Sequence, residues 1–171
     1  MVQSCSRNRL EETLRTLALA VLCATSCAAV AASSPAGAAD PFYIGSWKFS
    51  GAVKAPWFAP DQASNDAEVK RLLGKTVTIR ARAITGPQPF ACKGPHYKLD
   101  DYPADFLFQG AFGEMQRSDP SVDPEKLAAS LGFTGKTTKT LETGCEFDYH
   151  FVDESTAEIG LNNYVYTLKK Q

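Results

Sequence analysis

The chain has 171 residues, of which 44% are hydrophobic and 22% charged, and its formal net charge is −1. This composition is typical of one globular domain. The near balance of charge excludes a basic nucleic-acid surface, which needs an excess of Lys and Arg on one face.

The N-terminal segment has the order of a secretory signal peptide. Arginines lie among residues 1–15, an uncharged and mostly apolar run occupies 17–32, and small side chains follow at 36–39. Because small residues fit the signal peptidase, we predict cleavage after Ala38 or Ala39. The apolar run, about 16 residues long, is shorter than the ~20 residues that a membrane-spanning helix needs.

Export sets the domain boundary and the cysteine count. We predict a signal peptide over 1–39 and a single periplasmic or secreted domain over 40–171, with no membrane span. The alternative is a lipoprotein, in which residues 24–27 (ATSC) form a lipobox and Cys27 carries the lipid. Signal cleavage leaves two of the five cysteines, and in an oxidising compartment Cys92 and Cys145 predict one disulfide.

The first regular elements of the predicted domain are a strand and a short helix. Residues 47–53 alternate, with Trp47, Phe49 and Val53 on one apolar face, which predicts a half-buried strand. A helix is predicted over 64–73, capped by Ser64 or Asn65 and ended by Gly74.

A loop with two prolines joins these elements and carries two large aromatic side chains. Trp57 and Phe58 lie within residues 55–65, where no strand face is available to bury them. Either they plug one end of a barrel, or they form an exposed contact for a ligand, a partner or a membrane surface.

The middle of the chain predicts two more strands separated by a loop. Residues 75–83 alternate β-branched or alanine side chains with polar ones, which predicts one continuous strand. The loop at 86–95 holds three prolines and Cys92. Residues 96–102 predict a strand with Tyr97 and Leu99 pointing inward.

Two segments before the C-terminal region suggest helical structure to different degrees. Residues 105–115 are apolar but interrupted by two glycines, and the pattern fits a strand or a broken helix equally well. By contrast, Asp123 followed by Pro124 is a typical helix start, and a helix is predicted to end at Leu131.

The C-terminal region predicts a meander of antiparallel strands. Their predicted spans are 136–142, 145–152, 157–161 and 164–168. Phe147, Tyr149 and Phe151 share one face, which we take as the inner face. The pair Asn162 and Asn163 predicts a tight turn, since asparagine tolerates positive φ.

Together these elements predict a mainly β fold, an antiparallel barrel or strongly curled sheet of seven to eight strands with two short helices. Inward positions of such a barrel either fill its interior or line a small apolar pocket. The candidate ligand-binding residues are Phe49, Tyr97, Phe147, Tyr149 and Tyr166.

The cysteines and histidines of the chain suggest two other kinds of site, a metal site and an acid–base site. Cys92, His96, Cys145 and His150 are ligand types that zinc accepts. Strand parity places His150 on the outer face, away from Cys145, so a disulfide and two surface histidines are favoured over a metal site. His150 with Asp148 or Glu146 could serve in acid–base chemistry, but a solvated hairpin face explains these side chains more simply.

Gly45-Ser46-Trp47 at the start of the first strand, followed by antiparallel strands and a closing meander, resembles the lipocalin or calycin pattern. The resemblance implies a barrel that carries small apolar ligands, closed at one end by Trp47. It also implies a basic residue stacked on this tryptophan, for which Lys169 and Lys170 are the available candidates. The chain is similar, too, to small bacterial periplasmic proteins of unknown function and to periplasmic lysozyme-inhibitor barrels.

These observations predict an exported, non-enzymatic binding protein without cofactor or metal. The first hypothesis is a small apolar ligand inside a calycin-like barrel. The alternative is a protein-interaction module, such as an inhibitor of an envelope enzyme, that uses Trp57 and Phe58 as its contact.

Overall fold

The computed structural model describes residues 40–59, 61 and 63–171, which form a curled antiparallel sheet with three short helices. The strands are β1 Gly45–Lys54, β2 Thr76–Arg80, β3 Ala83–Thr85, β4 Cys92–Lys93, β5 Lys98–Pro103, β6 Thr137–Glu142, β7 Tyr149–Asp153, β8 Thr156–Leu161 and β9 Tyr164–Lys170. The helices are α1 Asp66–Leu72, α2 Leu107–Ser118 and α3 Pro124–Ser130, and a 3-10 turn at Ala104–Phe106 precedes α2.

The predicted signal peptide and its cysteines lie outside the described residues. Within the described ranges, no helix is long and apolar enough to cross a membrane.

The strand order is β4-β3-β2-β1-β9-β8-β7-β6-β5, and all neighbours are antiparallel. The mainly β class, the curled antiparallel sheet and the C-terminal meander are therefore confirmed. The sheet described has nine strands rather than seven or eight, for two reasons. The predicted strand 75–83 turns at Ala81 and Arg82 and divides into β2 and β3, and the predicted loop 86–95 contains the two-residue strand β4.

The inner face of the sheet holds the larger hydrophobic cluster. It is rich in aromatic side chains from β1, β7 and β9, and β8 adds Ala157 and Ile159. Phe147, Tyr149 and Phe151 all belong to it, as strand parity predicts. In β1 the parity changes after Phe49, because a bulge shifts the register between Phe49 and Gly51. Val53 is consequently 51% exposed rather than inward as predicted.

The outer face is covered over β6 to β9 by α2 and α3, which form a second hydrophobic cluster. Leu107, Phe108, Phe112 and Phe133 are buried there against Val165 of β9. These strands are thus buried on both faces, which strand alternation alone does not reveal.

Local sequence signals explain where the short helices begin and end. The Asn65 side chain accepts the Glu68 backbone N–H (3.3 Å) at the start of α1. The Asp123 side chain caps α3 in the same way (3.0 Å to the Glu125 nitrogen). Asn162 adopts a φ of 52° in the predicted β8–β9 turn.

The segment 105–115, for which strand and helix were both open, is the 3-10 turn followed by most of α2. The predicted strand 96–102 begins later, at Lys98, and Leu99 is 39% exposed instead of inward. The reason is that β5 is an edge strand, bonded on one side only, to β6.

Candidate functional site

Four of the five predicted ligand-binding residues share the inner cluster. Phe49 and Tyr149 are 1% exposed, and Tyr166 is fully buried. The ring centres of Phe49 and Tyr166 lie 5.8 Å apart. Tyr97 packs at the border of the cluster, with its ring centre 5.6 Å from that of Tyr43.

A further aromatic residue, Phe90, completes this cluster and is absent from the sequence-based set. Its ring centre lies 5.0 Å from that of Phe49 and 4.6 Å from that of Phe147. Phe90 belongs to the proline-containing connection between β3 and β4, where no periodic pattern exists to mark an inward position. The available signal was a single large ring in a loop of otherwise small or proline residues.

An open cleft of about 350 Å³ lies between edge strand β4 and the segment that joins β6 to β7. We call it the seam cleft. Its apolar lining comes from Ile84, Pro89, Phe90, Ala91, Phe147 and Tyr149. Lys93 and Glu146 add charged groups. Two predicted ligand-binding residues, Phe147 and Tyr149, therefore line a cleft that continues into the inner cluster.

The predicted disulfide is confirmed and lies at this cleft. Cys92 of β4 is bonded to Cys145, 53 residues later, with the two Cα atoms 6.4 Å apart. A backbone hydrogen bond from His96 to Thr143 (2.8 Å) joins the same two segments. Both sulfurs are consumed by the bond, and the described residues contain no group of three His, Cys, Asp or Glu side chains that could hold a metal.

A second, smaller cleft of about 160 Å³ lies on the outer face between the Trp57 loop and α2. We call it the Trp57 cleft. The Trp57 ring packs on Phe108, with ring centres 5.3 Å apart, and its Nε1 donates to the Asn162 carbonyl (2.8 Å). Gly160 permits this packing, because a Cβ there would lie 3.2 Å from both rings. Trp57 is thus half-buried and forms one wall of this cleft.

Phe58, the other predicted contact residue, does not line this cleft. It is also half-buried, and the Lys54 ammonium lies 4.5 Å from the centre of its ring.

The backbone at the start of α2 is unusual where it borders the Trp57 cleft. Phe108, Gln109 and Gly110 have φ values of 52°, 60° and 81°. Non-glycine residues adopt this left-handed region at a cost, and such outliers cluster at functional sites. Two hydrogen bonds hold the segment: Gln109 Nε2 donates to the Glu146 carbonyl, and the Phe108 N–H donates to His150, both at 2.9 Å.

The sequence-based placement of His150 on a solvated surface is wrong. This residue is 2% exposed, because α2 covers the outer face and the Phe108 ring packs on the imidazole. Since Nε2 accepts the Phe108 N–H, Nδ1 carries the proton and donates to Thr140 Oγ1 (2.9 Å). Burial lowers the pKa of His150 to about 3. Both ring nitrogens are engaged, so the pairing with Asp148 considered for acid–base chemistry does not form.

Two acidic side chains near this layer have raised pKa values. Asp148 lines the Trp57 cleft, and its burial raises its pKa, assisted by the charge of Glu142 and opposed by a hydrogen bond from the Thr143 backbone. Glu158, 5% exposed, faces His150 across the β7–β8 pair. Its burial raises its pKa to about 7.

Trp47 is fully buried, and its Nε1 donates to the Tyr43 carbonyl (2.9 Å). The Lys170 ammonium lies 5.7 Å from the centre of the Trp47 ring. A basic residue from the last strand therefore lies near the tryptophan ring.

Comparisons with protein-family models, curated proteins and solved structures find no significant match to this chain.

Proposed function

We propose that this chain is an exported, non-enzymatic binding protein that holds a small apolar ligand in the seam cleft. The observation that carries the proposal is the cleft itself: an open space of about 350 Å³ at whose base lie Phe90, Phe147 and Tyr149 of the inner cluster. Ligand pockets in proteins are concave and of this order of size.

The chemistry of the lining supports an apolar ligand with a small polar end. Phe90, Phe147 and Tyr149 provide ring surface at the base of the cleft, whereas Lys93 and Glu146 are among its polar groups. Burial of apolar ligand surface against such rings supplies about 25 cal/mol per Å².

The open edge of the sheet explains why the cleft exists. β4 pairs with β3 on one side, and the other side faces the β6–β7 segment without forming a ladder. The Cys92–Cys145 bond ties the two sides together, so the cleft has a fixed width before any ligand binds. Preorganisation of this kind lowers the entropic cost of binding.

The disulfide also supports a cellular compartment for this protein. A disulfide persists in an oxidising compartment, and this agrees with the signal peptide read from residues 1–39. We therefore propose a periplasmic or secreted protein whose signal peptide is cleaved.

A fluorescence titration with N-phenyl-1-naphthylamine, a small apolar probe, tests the proposal. The wild-type protein is expected to raise the probe's emission saturably at one site. Ala91→Trp, which fills the cleft, is expected to weaken binding at least about tenfold. Ala129→Trp, at an exposed position of α3, is the matched control and should bind as wild type does. Equal binding by all three proteins, or no saturable binding by wild type, would contradict the proposal.

A further inference from the structure

The Trp57 cleft is separate in character from the seam cleft and carries an inference of its own. It lies on the outer face, has about half the volume, and is walled by the rings of Trp57, Phe108 and Phe147. Asp148 and Gln109 also line it.

Several hydrogen-bond donors around this cleft already have partners within the protein. Trp57 Nε1 donates to the Asn162 carbonyl, and Gln109 Nε2 donates to the Glu146 carbonyl. The Asn162 side-chain amide donates to the Glu68 carboxylate (3.1 Å). The His150 Nδ1–H donates to Thr140, as described above.

Hydrogen-bond acceptors, in contrast, remain available. They are the Asp148 carboxylate, Gln109 Oε1 and Asn162 Oδ1, to which no side chain donates within the part of the chain that the structure describes. The nearby cations are paired elsewhere: Lys98 with Asp100, and Arg117 with Glu114. Among the described residues, no lysine or arginine forms an ion pair with Asp148.

This cleft has aromatic walls, a half-buried carboxylate and unoccupied hydrogen-bond acceptors. These features suit an organic cation with hydrogen-bond donors or a positively charged surface. Aromatic rings attract organic ammonium groups through their negative faces, and a nearby carboxylate strengthens the attraction. A neutral sugar fits less well, because it carries no charge to pair with the Asp148 carboxylate.

We propose that the Trp57 cleft binds a compact organic ammonium ion, with the Asp148 carboxylate as its counter-charge and the Trp57 ring as its platform. The left-handed segment at Phe108 and Gln109 positions one ring and one amide oxygen at the cleft. Its backbone strain is then maintained by the hydrogen bond to His150. This site shares the Phe147 ring with the seam cleft, but the inference does not rest on the apolar ligand proposed there.

Calorimetric titration at low ionic strength tests the inference, with choline as the cationic probe and 3,3-dimethyl-1-butanol as its uncharged isostere. We expect wild type to bind choline at one site, at least about tenfold more tightly than the isostere. Asp148→Asn and Trp57→Leu are each expected to weaken choline binding at least about tenfold, with near-ultraviolet circular dichroism confirming that both fold.

Two controls separate this site from general charge attraction and from the seam cleft. Asp105→Asn removes the same charge from outside the Trp57 cleft and should leave choline binding unchanged. Ala91→Trp should weaken naphthylamine binding at least about tenfold without affecting choline. The inference is overturned if wild type does not bind choline, if the isostere or methyl glucoside binds equally well, or if Asp148→Asn weakens binding no more than Asp105→Asn.

Discussion

His150 and Glu158 face each other on neighbouring strands in the buried outer layer, and their titrations should oppose one another. Burial lowers the pKa of His150 to about 3 from 6.5 and raises that of Glu158 to about 7 from 4.5. Among the described residues, Glu158 Oε2 has no hydrogen-bond partner, and Oε1 accepts only a long bond from Thr167 (3.4 Å). The fold therefore favours the neutral form of each group.

The sign of each effect on stability follows from proton linkage. A lowered pKa means that the contribution of His150 is complete above pH 6.5 and is lost as pH falls towards 3. A raised pKa means that the contribution of Glu158 is complete below pH 4.5 and is lost as pH rises through 7. Between about pH 7.5 and about pH 5, each group changes the free energy of unfolding by about 2 kcal/mol, in opposite directions.

In wild type the two pH dependences of the unfolding free energy nearly cancel, and single substitutions should reveal each of them. On acidification over this range, Glu158→Gln should lose about 2 kcal/mol of unfolding free energy relative to wild type, because the His150 effect stands alone. His150→Gln should gain about 2 kcal/mol relative to wild type. Urea denaturation at the two pH values measures both changes, and comparison with wild type cancels all other titrations.

Glu154→Gln is the matched control, because Glu154 is an exposed carboxylate in the β7–β8 turn and should leave the slope unchanged. Equal pH slopes for Glu158→Gln, His150→Gln and wild type would refute the reasoning. A slope of the reversed sign for either variant would indicate that the two side chains form a buried ion pair instead.

Two further changes test the fold around the clefts. Replacing Cys92 and Cys145 by serine removes the covalent link between residues 53 positions apart. It should lower the free energy of unfolding by about 4 kcal/mol, measured by urea denaturation. A loss below about 1 kcal/mol would show that the disulfide does not restrain the two sides of the seam cleft. Gly113→Ala should lower Tm and cost about 1–3 kcal/mol, since its Cβ would lie 2.9 Å from the Asp105 carbonyl oxygen and this clash outweighs the gain in helix propensity. A Tm at or above that of wild type would contradict the close approach of α2 to the 3-10 turn.

Period-two alternation predicted the inner face of the C-terminal strands correctly, because the register shift in β7 comes after Phe151, the last of its inward aromatic residues. The predicted strand 145–152, however, begins only at Tyr149. The same rule failed in β1, where a bulge after Phe49 exchanges the faces and exposes Val53. A single bulged residue leaves no mark on a hydrophobic pattern, so this error follows from the method rather than from the sequence.

The sequence did not predict that helices cover the outer face of the sheet. Residues 105–115 begin with a 3-10 turn and a left-handed kink, and neither has the periodicity of a helix or a strand. Because α2 was not placed, His150 was assigned to solvent although its strand face was correct. The candidate sites were affected in the same way: Phe147 and Tyr149 were identified by parity, whereas Phe90 required knowledge of how a proline-containing loop folds.

Native mass spectrometry of the chain, produced with its own N-terminal segment and purified without organic solvent, tests the central claim of a ligand in the seam cleft most directly. We predict a polypeptide two hydrogens lighter than the reduced form, with a second peak heavier by one small apolar molecule. That second peak should disappear after solvent extraction and should be absent from Ala91→Trp. Bare polypeptide alone, both as purified and after incubation with N-phenyl-1-naphthylamine, would contradict the claim.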